Sequence, residues 1–205
     1  MKVTNQVLVR ILTIMLFSPF IISCASIPQL KVQYQLPPRS KELKGKRVVL
    51  VFKDDRTNKK ILGQGALKEF NNFSGNISFS LTRKNEPESK MGVYQVSELM
   101  REAFKRRLEN LGLEVLFIQS HGKPQISITL NEFLLDLVDR KWVAKMNYKA
   151  SLVKDGKVIA SQNISGQAER YKLMGRGEAE TAVGEIFTDM VNRLDVPGLF
   201  QHADL

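Results

Sequence analysis

The chain is poor in the residues that build covalent or metal-held scaffolds. Its 205 residues include one cysteine, two histidines and one tryptophan. A single thiol excludes a disulfide framework, and with only two histidines a multi-cysteine or multi-histidine metal site lacks its ligands. Seven prolines and thirteen glycines are too few and too scattered for a collagen-like or low-complexity chain. There is no internal repeat. What remains is 43% apolar and 25% charged, an ordinary mixture for a folded core. The length suits one domain with appendages.

The N-terminus reads as a targeting segment. Lys2 and Arg10 form a basic region, and Ile11 to Ile22 is apolar apart from Thr13, Ser18 and Pro19. A run of about 12 residues is too short to cross a hydrocarbon core of about 30 Å as a helix, and it fits the apolar stretch of a signal peptide. It ends in Ile21-Ile22-Ser23-Cys24, which resembles a bacterial lipobox. Cys24 is then expected to be the first residue of the mature chain, with lipid on its sulfur. One acyl chain holds a protein to a membrane only marginally, and two or more hold it stably; mature bacterial lipoproteins, by resemblance, carry more than one. Ala25, rather than an aspartate, follows Cys24. By resemblance to enterobacterial lipoprotein sorting, this favours the outer membrane. Loss of residues 1–23 removes two basic residues and no acid, so the net charge of +10 becomes +8. Export argues against nucleic acid as a partner. Anionic head groups or an acidic protein become the plausible counterparts, and plain solubility is the blander explanation.

Residues 24–46, with Pro28, Pro37 and Pro38, read as the lipidated cysteine and a tether, to which Val32–Leu36 could add an edge strand. A single α+β periplasmic domain is expected over 47–196, with a C-terminal tail over 197–205. Arg47–Lys53 is β-branched and apolar, a buried strand that ends at Asp54-Asp55-Arg56-Thr57. Residues 58–92 look irregular except for the alternation of Ile77–Leu81. Val96–Leu111 carries one apolar stripe at helical spacing, with Ser97 as candidate N-cap and Gly112-Leu113 as a Schellman end. Leu113–Ile118 and Gln125–Leu130 predict strands, the latter running on through Leu135. Trp142–Leu152 predicts a long antiparallel strand that turns at Asp155-Gly156 and returns over Val158–Tyr171. Glu178–Leu194 is the cleanest helix, and Pro197-Gly198 stops it. The order predicts an antiparallel or mixed sheet with two amphipathic helices packed on one face.

Several constellations invite chemistry, and each has a plainer explanation. Arg101, Lys105, Arg106 and Arg107 could form a basic binding face. Glu98, Glu102 and Glu109 lie at pairing distance along the helix and favour a solvated, ion-paired surface. Gly175-Arg176-Gly177 could cradle an anion ahead of a helix, yet position 180 is Glu where a dinucleotide fingerprint needs Gly, so a turn is favoured. Asp54, Asp55, Asp136 and Asp139 sit at strand ends and turns, where aspartate is common, and are not read as a cation site. His121 and His202 have no evident nucleophile or carboxylate partner. Asn72, Asn76 and Asn163 begin glycosylation patterns that a bacterial lipoprotein does not use. Trp142 and Tyr148 share a strand face with Met146 and Leu152 and read as core. No catalytic, cofactor-binding or metal-ligating residue is assigned. Cys24, as the lipid attachment point, is the one site residue.

The lipobox around Cys24, the buried strand running into Asp54-Asp55-Arg56-Thr57, the helix ending Arg107-Leu-Glu-Asn-Leu-Gly-Leu-Glu-Val115 and the hairpin Trp142–Tyr171 before a terminal helix together resemble the YajG family of bacterial lipoproteins. The likeness is one of pattern over about 160 residues, and residues 61–76 are longer than that family's pattern expects. The resemblance implies an α+β fold like other envelope lipoproteins and supplies no catalytic residues. The resulting expectation is a non-enzymatic, outer-membrane-anchored lipoprotein facing the periplasm. It would act as a binding or accessory protein in envelope assembly or maintenance, without cofactor, meeting the membrane through acylated Cys24 and an envelope protein through a sheet face or the 58–92 segment. The alternative is a lipid or small-ligand carrier of a transport system, which predicts an apolar cavity between sheet and helices.

Overall fold

Alternation in the second half of the chain builds the largest layer. The computed structural model describes residues 29–118 and 122–203; Cys24 and His121 lie outside them. Strands β6 (Gln125–Val138), β7 (Lys141–Lys154) and β8 (Lys157–Tyr171) pair antiparallel, through turns at Asp139-Arg140 and Asp155-Gly156. All four turn residues have positive φ, the geometry that matches the twist of paired strands. β2 (Arg47–Asp54) joins β6 in parallel, and β5 (Glu114–Leu116) joins β2 in parallel, giving the order β5-β2-β6-β7-β8. One face of β7 carries Trp142, Ala144, Met146, Tyr148, Ala150 and Leu152, all fully buried.

Two amphipathic helices cover that face, as their stripes predict. Helix α2 (Val96–Asn110) packs on β2 and β5, with the Phe104 ring 5.2 Å from Tyr148. Helix α3 (Gly177–Arg193) packs on β7 and β8, and the Tyr148 hydroxyl donates to the Met190 carbonyl at 2.9 Å. The N-cap of α2 is Gln95 rather than Ser97, its N–H donating to the Glu98 carboxylate at 3.3 Å. The Schellman end forms as expected: Leu113 N–H reaches the Leu108 carbonyl at 3.2 Å, across Gly112 at φ +91°.

The mixed α+β class holds, with a second sheet behind the helices. β1 (Leu30–Gln35) runs parallel to β3 (Ile77–Thr82), which pairs antiparallel with β4 (Ser89–Tyr94). Much of the segment expected to be tether is therefore core: Leu30, Val32, Tyr34, Leu36 and Leu43 are buried. Phe187 on α3 joins the layers, its ring 5.9 Å from Tyr34, 6.0 Å from Phe79 and 6.0 Å from Phe133. Burial of one such ring is worth about 2–3 kcal/mol of transfer free energy.

Two further expectations change. The long segment at 61–76 is ordered by contacts with β6. Leu62 bridges to Leu135, helix α1 (Gln64–Glu69) follows, and Phe70 closes over Trp142 with ring centroids 6.0 Å apart. The expected tail from residue 197 begins instead within a helix. Asp195 accepts a hydrogen bond from Gly198 N–H at 2.9 Å and opens helix α4 (Val196–Gln201), which buries Leu199 and Phe200. Pro197 stops α3 yet is tolerated in the first turn of α4, where its missing N–H has no partner to lose.

Candidate functional site

The end of β2 forms the most distinctive cluster. Beyond Asp54 the chain stays beside β6, with Asp55 N–H donating to the Leu130 carbonyl at 2.9 Å. That path turns Arg56 inward, to 5% exposure. Its guanidinium grips Asp54 by two bonds, Nη2 to Oδ2 at 2.8 Å and Nε to Oδ1 at 3.0 Å, and reaches the Phe133 carbonyl at 3.4 Å. Lys59 Nζ adds bonds to the Asp54 carbonyl at 2.8 Å and to Oδ1 at 3.2 Å. The bond from Arg56 chiefly lowers the Asp54 carboxyl to about 2, against partial desolvation. A charge this deep is tolerated because the planar fork and a carboxylate match in geometry.

Beside this pair lies a cleft of about 460 Å³. Ile61, Leu62, Leu67, Phe73 and Val96 form its apolar wall, and Lys59 and Lys60 stand at its rim. Such a lining suits an apolar or amphipathic anionic group better than bond-making chemistry, because Asp54 and Arg56 are already committed to each other. The interior between the large sheet and the helices is filled by Phe104, Tyr148, Phe187 and Met190, all buried. The cleft is thus lateral to the place where a carrier cavity was expected.

The other sequence candidates scatter. Asp136 lies six residues along β6 from Leu130, the register partner of Asp54. Its Oδ1 accepts from Gly65 N–H at 2.9 Å and Ala66 N–H at 3.1 Å, capping α1 from across the sheet. Asp55 pairs with Lys53 at 2.9 Å, and Asp139 occupies its turn. Among the described residues no group of three or more His, Cys, Asp or Glu is placed to hold a metal ion. His202 contacts the Gly198 carbonyl through Nδ1 at 2.6 Å at the end of α4. On α2, Arg106 pairs with Glu102 at 2.6 Å and Glu109 at 3.7 Å, and Lys105 with Glu109 at 3.8 Å, the ion-paired surface favoured from sequence. Gly175 makes a turn at φ +75°, and the Arg176 guanidinium rests 5.0 Å from the Phe70 ring centre.

One arrangement went unforeseen. β1 is an edge strand, and α3 covers that edge. Glu180 faces Lys31, Thr188 Oγ1 accepts from Gln35 N–H at 3.1 Å, and Asn192 Nδ2 donates to the Gln35 carbonyl at 2.9 Å. Gly184 brings the helix against the strand, where a Cβ would stand 3.2 Å from the Gln33 carbonyl oxygen. Burial raises the Glu180 carboxyl above its ordinary value, partly offset by Lys31. Glu180, Gly184, Thr188 and Asn192 recur every four residues, a polar stripe beside the apolar one. That spacing was the available signal. Next to it runs an open polar groove of about 1160 Å³, between α3 and the outer face of β1 and β3.

This is a mixed α+β sandwich whose two main helices lie between sheets of five and three strands. Among the described residues no helix is long and apolar enough to cross a membrane. No family model matches the chain, and no curated protein does. Solved structures do. A Xanthomonas campestris protein described by the family model DUF330 is 14% identical, with a TM-score of 0.51, covering 85% of this chain and 99% of its own. An uncharacterized protein is 11% identical with a TM-score of 0.39, covering 80% of this chain and 95% of its own. Lipoprotein GNA1162 from Neisseria meningitidis is 13% identical with a TM-score of 0.26, covering 72% of this chain and 99% of its own. The first likeness is one of fold alone, and the other two are too loose to support an argument.

Proposed function

We propose that the chain is a lipid-anchored lipoprotein of the outer membrane, facing the periplasm, and that it acts as a non-enzymatic binding or accessory protein in envelope assembly or maintenance. The supporting observation is the lone cysteine of the chain, placed at the end of a short apolar run as Ile21-Ile22-Ser23-Cys24. The YajG-like pattern belongs to the same reading, and Ala25 supports the outer membrane over the inner. With β1 starting at Leu30, six residues beyond Cys24, the domain would sit close to its anchor. The polar groove beside α3 offers a protein partner a broad surface. A second reading, a carrier of a small amphiphile, is favoured by the apolar cleft beside Asp54 and Arg56, whose 460 Å³ falls within the usual range of ligand pockets.

Cys24→Ser tests the anchor. The substitution is expected to abolish acyl labelling and move the protein from the membrane to the soluble fraction. An intact mass of the wild-type protein showing a free thiol and the starting methionine would overturn the reading.

A further inference from the structure

The end of the domain nearest the anchor exposes an apolar loop among cations. β1 and α3 run in the same direction: Lys31 meets Glu180, and Gln35 meets Thr188 and Asn192. The start of β1 therefore lies at the same end as the start of α3. The loop between β8 and α3 is at that end, and so is the β6–β7 turn, since Lys172 N–H donates to the Arg140 carbonyl at 2.8 Å. Tyr171, Leu173 and Met174 are 67%, 77% and 88% exposed, a cluster of large apolar side chains with no cover among the described residues. Lys68, Arg140 and Lys172 line one cleft with Leu173 and Glu69, and Lys141, paired with Glu169 at 3.3 Å, stands over Tyr171. The Lys141 ammonium sits 5.1 Å from the Tyr171 ring centre, and Lys172 pairs with Glu69 at 2.6 Å.

We infer that this loop is a second membrane contact, inserting Leu173 and Met174 into the interface of a bilayer containing anionic phospholipid. The inference rests on the proposed acylation of Cys24 only for orientation. Six residues of extended chain span at most about 20 Å, so an anchor at Cys24 would hold the β1 end, and the loop with it, against the head groups. The excess of cations suits an anionic surface, and the exposed apolar tip suits the head-group boundary. Held at two points, the domain would present its opposite end, with the Asp155-Gly156 turn, to the periplasm.

An environment-sensitive fluorophore tests this on the mature chain, purified from membranes and reconstituted in vesicles, attached at Met174→Cys or, as the distal control, at Lys157→Cys. In vesicles of phosphatidylcholine with phosphatidylglycerol, emission from position 174 is expected to rise about twofold and shift blue, with quenching by spin-labelled lipid. Position 157 should show neither change. Leu173→Asp should abolish the response at 174, and phosphatidylcholine alone should weaken it. Equal behaviour at 174 and 157 overturns the inference. So does a response at 174 in native membranes that pure lipid does not reproduce, which would assign the loop to a protein partner. Labelling of the unsubstituted chain would instead show Cys24 to be free, refuting the anchor without touching the loop.

Discussion

Replacing Arg56 by methionine keeps the apolar stem and deletes the charge, so it isolates the buried ion pair. The carboxyl of Asp54 is held at about 2 against an ordinary 3.8. A shift of that size corresponds to an upper bound of about 2.5 kcal/mol in favour of the folded state. The Asp54 side chain is 17% exposed and keeps its contact with Lys59, so about 1–2 kcal/mol is a fairer share for the charge. Losing the donor to the buried Phe133 carbonyl adds to this, and the expected cost of Arg56→Met is about 2–4 kcal/mol. The folded carboxyl titrates below the unfolded one. Its contribution is therefore complete above about pH 4 and disappears as the pH falls through about 2. Urea unfolding at several pH values reads both effects through Trp142, the only tryptophan and fully buried beside Phe70. The parent should lose stability between pH 4 and 2 more steeply than the variant. Asp54→Asn combined with Arg56→Met should cost clearly less than the two single changes added together. A variant within about 0.5 kcal/mol of the parent, with the same acid limb, would refute the assignment of this pair as a structural lock.

Two other substitutions probe the long-range contacts. Gly65→Ala would place a Cβ 2.0 Å from the Leu137 carbonyl oxygen, which is backbone and cannot step aside. Its expected cost is about 2–4 kcal/mol, read as a lower urea midpoint with amide exchange faster over α1 than elsewhere; an unchanged midpoint would contradict the close seating of α1 on β6. Asn192→Leu removes the donor to the Gln35 carbonyl and the acceptor of the buried Tyr34 hydroxyl, a bond of 2.8 Å. A loss of about 1–3 kcal/mol with faster amide exchange along β1 is expected, and protection of β1 equal to the parent would show that α3 does not close this edge.

The elements legible in the sequence are those whose burial is periodic within their own length. β7 alternates from Lys141 through Ala150, and α2 and α3 carry stripes several turns long. What escaped depends on partners far along the chain. β1 shows only three alternations between prolines and owes its place to β3 and α3. β4 has no fully buried side chain and so no period to find. The glycines around α1 look like loop composition, because their reason is the Leu137 backbone and Asp136 carboxylate on β6. Asp54-Asp55-Arg56-Thr57 reads as a turn, since nothing local says that Arg56 faces inward. The surface pairs of α2 were legible because they obey helical spacing. Leu199 and Phe200 were hidden behind Pro197-Gly198, which end one helix and begin another.

The seat of β1 also sets an order of events during synthesis. The first strand pairs on one side with β3, and among the described residues its other edge is closed by Thr188 and Asn192, some 150 residues downstream. Until nearly all of the polypeptide has been delivered, β1 has bare amides and carbonyls along one side and cannot settle. Contacts so distant in sequence form late. β1 thus stays reachable by holding chaperones until α3 arrives and shuts it.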